Sequence, residues 1–252
     1  MWNYFEAEEG RWYYWNLNGA GVYLCREGDV WRMAADSVLL RDIRPEAGGP
    51  EGDISPKNPP GCFALGAGRQ AALRPYFYEK PYYINFRDKI RLMPEAETRL
   101  ELALPPVLRL ELAGGLELLR FTPFLLSETW SGSDTMSGFL CLSLPVDFGP
   151  SALTGESSLI HGELIFRNPT KTILDIDRLI LSANSLGIYE KDGHLRCESI
   201  VVDTNGSGGE LRLTPRPGAP EGYRLITAAQ KNGMGDTLIR RSADLLKNIA
   251  GI

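Results

Sequence analysis

The feature that most constrains this chain is a period-two alternation that runs, with short interruptions, from residue 98 to residue 146. Leu100, Leu102 and Leu104 alternate with Arg99, Glu101 and Ala103, the pattern of a strand with one buried and one wetter face. Pro105-Pro106 and Gly114-Gly115 punctuate the run. They divide it into strands at 98–104, 107–112 and 116–121, with further strands at 124–129 and 136–146. A helix of 3.6 period cannot hold this alternation on one face. The expectation is an all-β, mainly antiparallel fold.

The rest of the chain extends that pattern in both directions. Segments 11–17, 21–26 and 30–35 form a three-strand meander, with Asn18-Gly19 and Glu27-Gly28-Asp29 as turns; Asn-Gly is the strongest short hairpin signal because both residues tolerate positive φ. Trp12, Tyr13, Tyr14 and Trp15 are consecutive, so alternation sends rings to both faces. Either an exposed ladder grips a sugar or a peptide, or one face is core and the other lies under a neighbouring element; aromatics favour strands in any case. Residues 45–61 are rich in Gly and Pro and read as loop, functional or mobile. Pro75 and Pro81 confine the aromatic stretch 75–86 to edge strands or a turn between two strands.

Residues 147–158 are rich in Gly, Ser and Pro and mark an expected boundary between two β-sandwich-like units, 1–150 and 151–252. In the second unit Ile160, Leu164 and Phe166 line one face, and Asn168-Pro169-Thr170-Lys171 makes a turn. Strands follow at 173–181, 194–203 and 210–214. The tail changes period: over 236–249, Leu238, Leu245 and Ile249 fall on one helical face, with Arg240 and Arg241 on the other. Asp236 supplies an N-cap. This amphipathic helix either packs on its own sheet or docks on a partner chain or an anionic surface.

Acids outnumber bases, 32 to 27, for a net charge of −5. Sequence-independent nucleic-acid binding needs a basic footprint and is not expected. No window approaches the run of about 20 apolar residues that a spanning helix needs, and the start has no export-signal pattern. The expectation is a cytoplasmic protein whose four cysteines, Cys25, Cys62, Cys141 and Cys197, are reduced core thiols.

Motifs for catalysis are sparse. His161 and His194 are the only histidines; no Cys-x-x-Cys or His-Glu-x-x-His occurs, so neither a metal nor another cofactor is expected. Asp175 and Asp177 share a strand face, where a calcium pair or a face neutralised by Arg178 and Lys171 are the alternatives. The densest polar cluster beside a large ring is Ser127, Glu128, Thr129, Trp130 and Asp134. Glu128 and Asp134 could flank a glycosidic bond beside an aromatic platform; equally, the serines and threonine could satisfy backbone groups of a turn while Trp130 packs on the core.

The stretch LSETWSGSDTMSGFLCLSL resembles the Leu-Ser-x-Thr-Trp-x-Gly segment, followed closely by a further glycine, of an uncharacterised prokaryotic family, the domain of unknown function numbered four-three-two. The positions that match are Ser127, Thr129, Trp130 and Gly132, then Asn168 and Tyr189. The later strand–Asn turn–strand pattern and the Arg…Trp strand pair in VYLCREGDVWRMA are similar to that family as well. The resemblance implies a β-rich fold, no established activity and no catalytic residue to carry over; for partners it implies association with a small mechanosensitive membrane channel. The expected function is that of a non-enzymatic interaction or accessory module, binding a protein partner or a second copy of itself. The alternative is a carbohydrate-binding or carbohydrate-active protein that uses Trp130 with Glu128 and Asp134, or the Trp12–Trp15 ladder.

Overall fold

The structure, a computed structural model, describes residues 2–17, 20–35, 51–52, 61–64, 68–122, 124, 126–132, 138–146, 159–204 and 211–230. Within them the first strands are β1 (Phe5–Glu6), β2 (Trp12–Leu17), β3 (Ala20–Glu27), β4 (Val30–Ala35), β5 (Glu51–Gly52), β6 (Gly61–Ala64) and β7 (Gln70–Tyr76). Next come β8 (Tyr82–Leu92), β9 (Glu97–Leu104), β10 (Val107–Leu112), β11 (Leu116–Phe121), β12 (Glu128–Ser131) and β13 (Phe139–Val146). The series ends with β14 (Ile160–Arg167), β15 (Leu174–Leu181), β16 (Ile188–Lys191), β17 (His194–Cys197), β18 (Ile200–Thr204), β19 (Leu211–Pro215) and β20 (Arg224–Thr227). The fold is all-β and mainly antiparallel, as the alternation predicts. The tail helix expected over 236–249, with Leu238, Arg240, Arg241, Leu245 and Ile249, lies outside the described residues.

Among the described residues the strands form four sheets. One has the order β5-β2-β3-β4-β6 and contains the expected meander: Leu17 pairs with Ala20 and Glu27 with Val30. Part of the stretch read as loop is strand here, because Glu51 and Gly52 pair with Tyr14 and Tyr13. A second sheet has the order β1-β7-β10-β11, all antiparallel. A third, β12-β13-β8-β15, contains a parallel pair, β13 on β8.

The fourth sheet has seven strands centred on β14. One edge of β14 pairs along its full length with β9, from Ile160–Leu104 to Arg167–Glu97. The other edge is shared by β17, parallel at Ile160–His161, and β18, parallel at Leu164–Phe166. The single strand expected over 194–203 is therefore broken at Glu198-Ser199. At the break the Glu198 carboxylate accepts hydrogen bonds from the Gly187 N–H (2.7 Å) and the Tyr189 hydroxyl (2.9 Å).

The meander expected over 98–146 is also redistributed. β9 and β10 follow one another but pair in different sheets. Two consecutive prolines supply no N–H groups for a ladder, and the Pro105 carbonyl instead accepts a hydrogen bond from Tyr82 Oη at 2.7 Å. Residues 147–158 lie outside the described set, and strands from before and after them pair directly, β9 with β14 and β8 with β15. The buried residues form a hydrophobic cluster to which every sheet contributes, among them Leu24, Leu108, Ile84 and Phe166.

Candidate functional site

The polar cluster read from the sequence falls on β12, an edge strand among the described residues, paired only with β13. Its alternation sorts the candidates onto two faces. Ser131 is buried and Thr129 half-buried opposite Cys141, whereas Glu128 and Trp130 face outward opposite Leu142 and Leu140. Ser127 contributes its carbonyl, which accepts the Ser143 N–H at 2.8 Å and sets the start of the strand. Trp130 is 46% exposed and Leu140 44%, which makes an open apolar pair directly across the two strands. The indole lies against Gly138, where an added Cβ would come within 2.4 Å of its ring atoms. Gly132 has φ 152°, a conformation that favours glycine. Asp134 lies outside the described residues, so the structure does not bring a second carboxylate to Glu128.

Glu128 is instead ion-paired with Lys80, from the bend between β7 and β8. That pair stands at the rim of a groove of about 320 Å³ whose apolar lining includes Phe77, Val107, Phe124, Leu126 and Leu142. Arg109, Arg120 and Glu79 line the same groove. Cross-strand register explains the arginines: Arg74, Arg109 and Arg120 stand in one row across β7, β10 and β11. Like charges directly opposite one another are unfavourable, and glutamates offset them. Arg120 bonds both Glu117 oxygens at 3.0 Å and Glu79 at 2.9 Å. This fork holds the Glu117 carboxyl below its ordinary range and raises the arginine in turn. Arg109 stacks 4.0 Å from the Tyr76 ring centre, and its Nε lies 3.3 Å from Glu117 but outside hydrogen-bonding geometry.

At the Arg74 end of the row, buried Glu111 accepts hydrogen bonds from Tyr4 and Tyr76, each at 2.6 Å. Sequence reading passed over this charged face. Its signal is present in RPYFYEK, VLRLEL and LELLRF, but only the register of three strands brings those arginines together.

The other sequence candidates sit apart from this face. Tyr13 and Trp15 are buried, with Phe5 packed on both, and Trp12 and Tyr14 are half-buried. This is the core-facing reading of the aromatic run rather than an open ladder. Cys25, Cys141 and Cys197 are buried free thiols, and burial pushes Cys141 up to about 11; the Cys62 side chain lies outside what the structure describes. His161 is half-buried, which lowers its pKa, and His194 is exposed. Asp175 is neutralised by Arg91 across the strand pair at 3.0 Å, and Asp177 by Arg178 at 3.7 Å. Among the described residues no three His, Cys, Asp or Glu side chains converge, and no helix is long and apolar enough to cross a membrane.

Two motif positions outside β12 have structural work. Tyr189 holds Glu198 at the break between β17 and β18. Asn168 is buried, and its side chain joins two turns: Nδ2 donates to the carbonyls of Leu92, Met93 and Thr172, while Oδ1 accepts from the Thr170 N–H and hydroxyl. Comparison with curated proteins and with solved structures finds no match. A family model does match, over residues 1–247, and with it the chain belongs to the family described as "Protein of unknown function (DUF432)".

Proposed function

We propose that this protein is a non-enzymatic interaction module that docks a partner protein on the outward face of β12 and β13. The observation that carries the reading is the Trp130–Leu140 pair, two large apolar side chains left open across an edge of a sheet. Exposed tryptophans surrounded by polar groups are the residues that most often dominate protein interfaces. Here the Glu128–Lys80 ion pair, with Glu128 on the same face of β12, flanks the pair with groups suited to a polar rim. An edge strand also offers unpaired backbone groups to an extended segment of a partner.

The test places a photo-crosslinking residue at Leu140 in the living host and identifies the adduct by mass spectrometry. The purified partner's affinity is then measured against wild type and Trp130→Ala. The expected result is one dominant adduct and a loss of about 30-fold in affinity on truncation, the scale of a central interface tryptophan. A channel subunit as the adduct would meet the expectation drawn from the resemblance, and light scattering separates a second copy of this chain from another protein. Equal affinity of wild type and Trp130→Ala would sink the proposal.

The carbohydrate reading keeps one observation in its favour, an indole packed against a glycine with nearly half its residue surface open. Glycan-array binding that disappears in Trp130→Ala would move the assignment to that reading.

A further inference from the structure

We infer that the groove beside β12 binds a small carboxylate with an apolar body. The inference does not rest on partner docking at Trp130. Its starting point is Glu79, on the bend after β7, whose carboxylate reaches Arg120 Nη1 at 2.9 Å and Arg109 Nη2 at 4.0 Å. The two guanidiniums stand in register on adjacent strands. Tyr76 holds Arg109 by stacking, and Glu117 holds Arg120 by a two-pronged bond. Glu79 has no such support: it is 65% exposed, and exposed ion pairs contribute little. It occupies the place that a ligand carboxylate would take, and it is cheaply displaced.

The rest of the groove sets the ligand's other features. Phe77, Val107, Phe124, Leu126 and Leu142 give it an apolar lining of about the size that encloses a small ligand. Glu117 lies against both guanidiniums, and Glu128 already pairs with Lys80 in the same groove, so a doubly charged phosphate meets repulsion that a single carboxylate largely escapes. Planar guanidiniums match the carboxylate fork, which adds geometric selectivity to charge.

The experiment is calorimetric titration of the full chain with decanoate below its micelle concentration, with decanol as the uncharged control. Decanoate is expected to bind saturably at one equivalent and at least about tenfold more tightly than decanol. Arg120→Met is expected to weaken decanoate by about tenfold with an unchanged circular-dichroism spectrum. Glu79→Gln, which removes the internal competitor, is expected to tighten it. Methyl signals of Val107 and Leu142 that shift on adding decanoate support the site even where Arg120→Met fails to fold. Absence of those shifts, equal affinity for decanol, or a Glu79→Gln variant that binds no more tightly than wild type overturns the inference.

Discussion

Asn168 shows how much one amide can hold together. Its Nδ2 group faces three carbonyl oxygens at 2.8–3.1 Å, two of them at the end of β8, and its own N–H donates to Ala96 in the turn before β9. An aspartate there would turn a donor into an anion aimed at three acceptors, in a position that is 1% exposed. Alanine would only leave those groups short of partners, a cost of about 2–3 kcal/mol. Asn168→Asp is therefore expected to be the more destabilising change at neutral pH, by more than about 3 kcal/mol. Burial and the facing carbonyls raise that carboxyl's pKa, so its deficit should shrink as acid protonates it. Urea melts of both variants at two pH values measure this, and an aspartate variant as stable as the alanine one would refute the account. In the sequence, Asn-Pro-Thr reads as a turn. That the turn is buried and tied to another connection 75 residues away depends on tertiary contacts, which local spacing does not encode.

At the scale of strands, β1 is the least supported piece of its sheet, pairing through only Phe5–Ala71 and Glu6–Gln70. Glu111, Tyr4 and Tyr76 make up the difference. The Glu111 carboxylate, within β10, receives one hydroxyl from the segment before β1 and one from the end of β7. Arg74 adds its charge 3.7 Å from the carboxylate and lies over the Tyr4 ring at 5.3 Å. Tyr4→Phe keeps the ring and removes the hydroxyl, so a buried carboxylate loses one of its two short hydrogen bonds. The expected cost is about 1.5–3 kcal/mol, the range for bonds to charged groups, with faster amide exchange at Ala7, whose N–H bonds Arg69. A change below about 0.5 kcal/mol, with exchange at Ala7 unmoved, would mean that the phenol is incidental. β1 left no signal in the sequence, whereas turns such as Asp192-Gly193, with φ 52° and 85°, are legible there because they rest on local sterics. Pairing partners are not. Alternation in β9 predicts its buried face correctly, yet nothing in 97–104 names β14 as its neighbour. The arginine row is hidden for the same reason, since it exists only once β7, β10 and β11 are in register.

Across the whole molecule, tyrosine ionisation offers a test of whether these sheets lose structure together. Burial is the first cause of a raised pKa at Tyr4, Tyr76, Tyr78, Tyr82 and Tyr189, and the carboxylates of Glu111 and Glu198 add to it at Tyr4, Tyr76 and Tyr189. Tyr78 and Tyr189 are each pushed up to about 12. A folded pKa above the unfolded value of about 10 means that the unfolded chain releases its protons first. The stability these phenols contribute is thus complete below pH 10 and is lost as pH rises toward their folded values. The five rings lie on or beside three of the four sheets, and the buried cluster joins strands from all of them. Ionisation of these five should therefore appear as one steep step above pH 10, coincident with loss of the β circular-dichroism signal. Tyr78→Phe should move the step to higher pH, because one proton fewer is released on unfolding. Tyrosinate absorbance that rises smoothly while the β signal persists would show that the rings ionise in place, and the cooperative link between burial and the four sheets would fail.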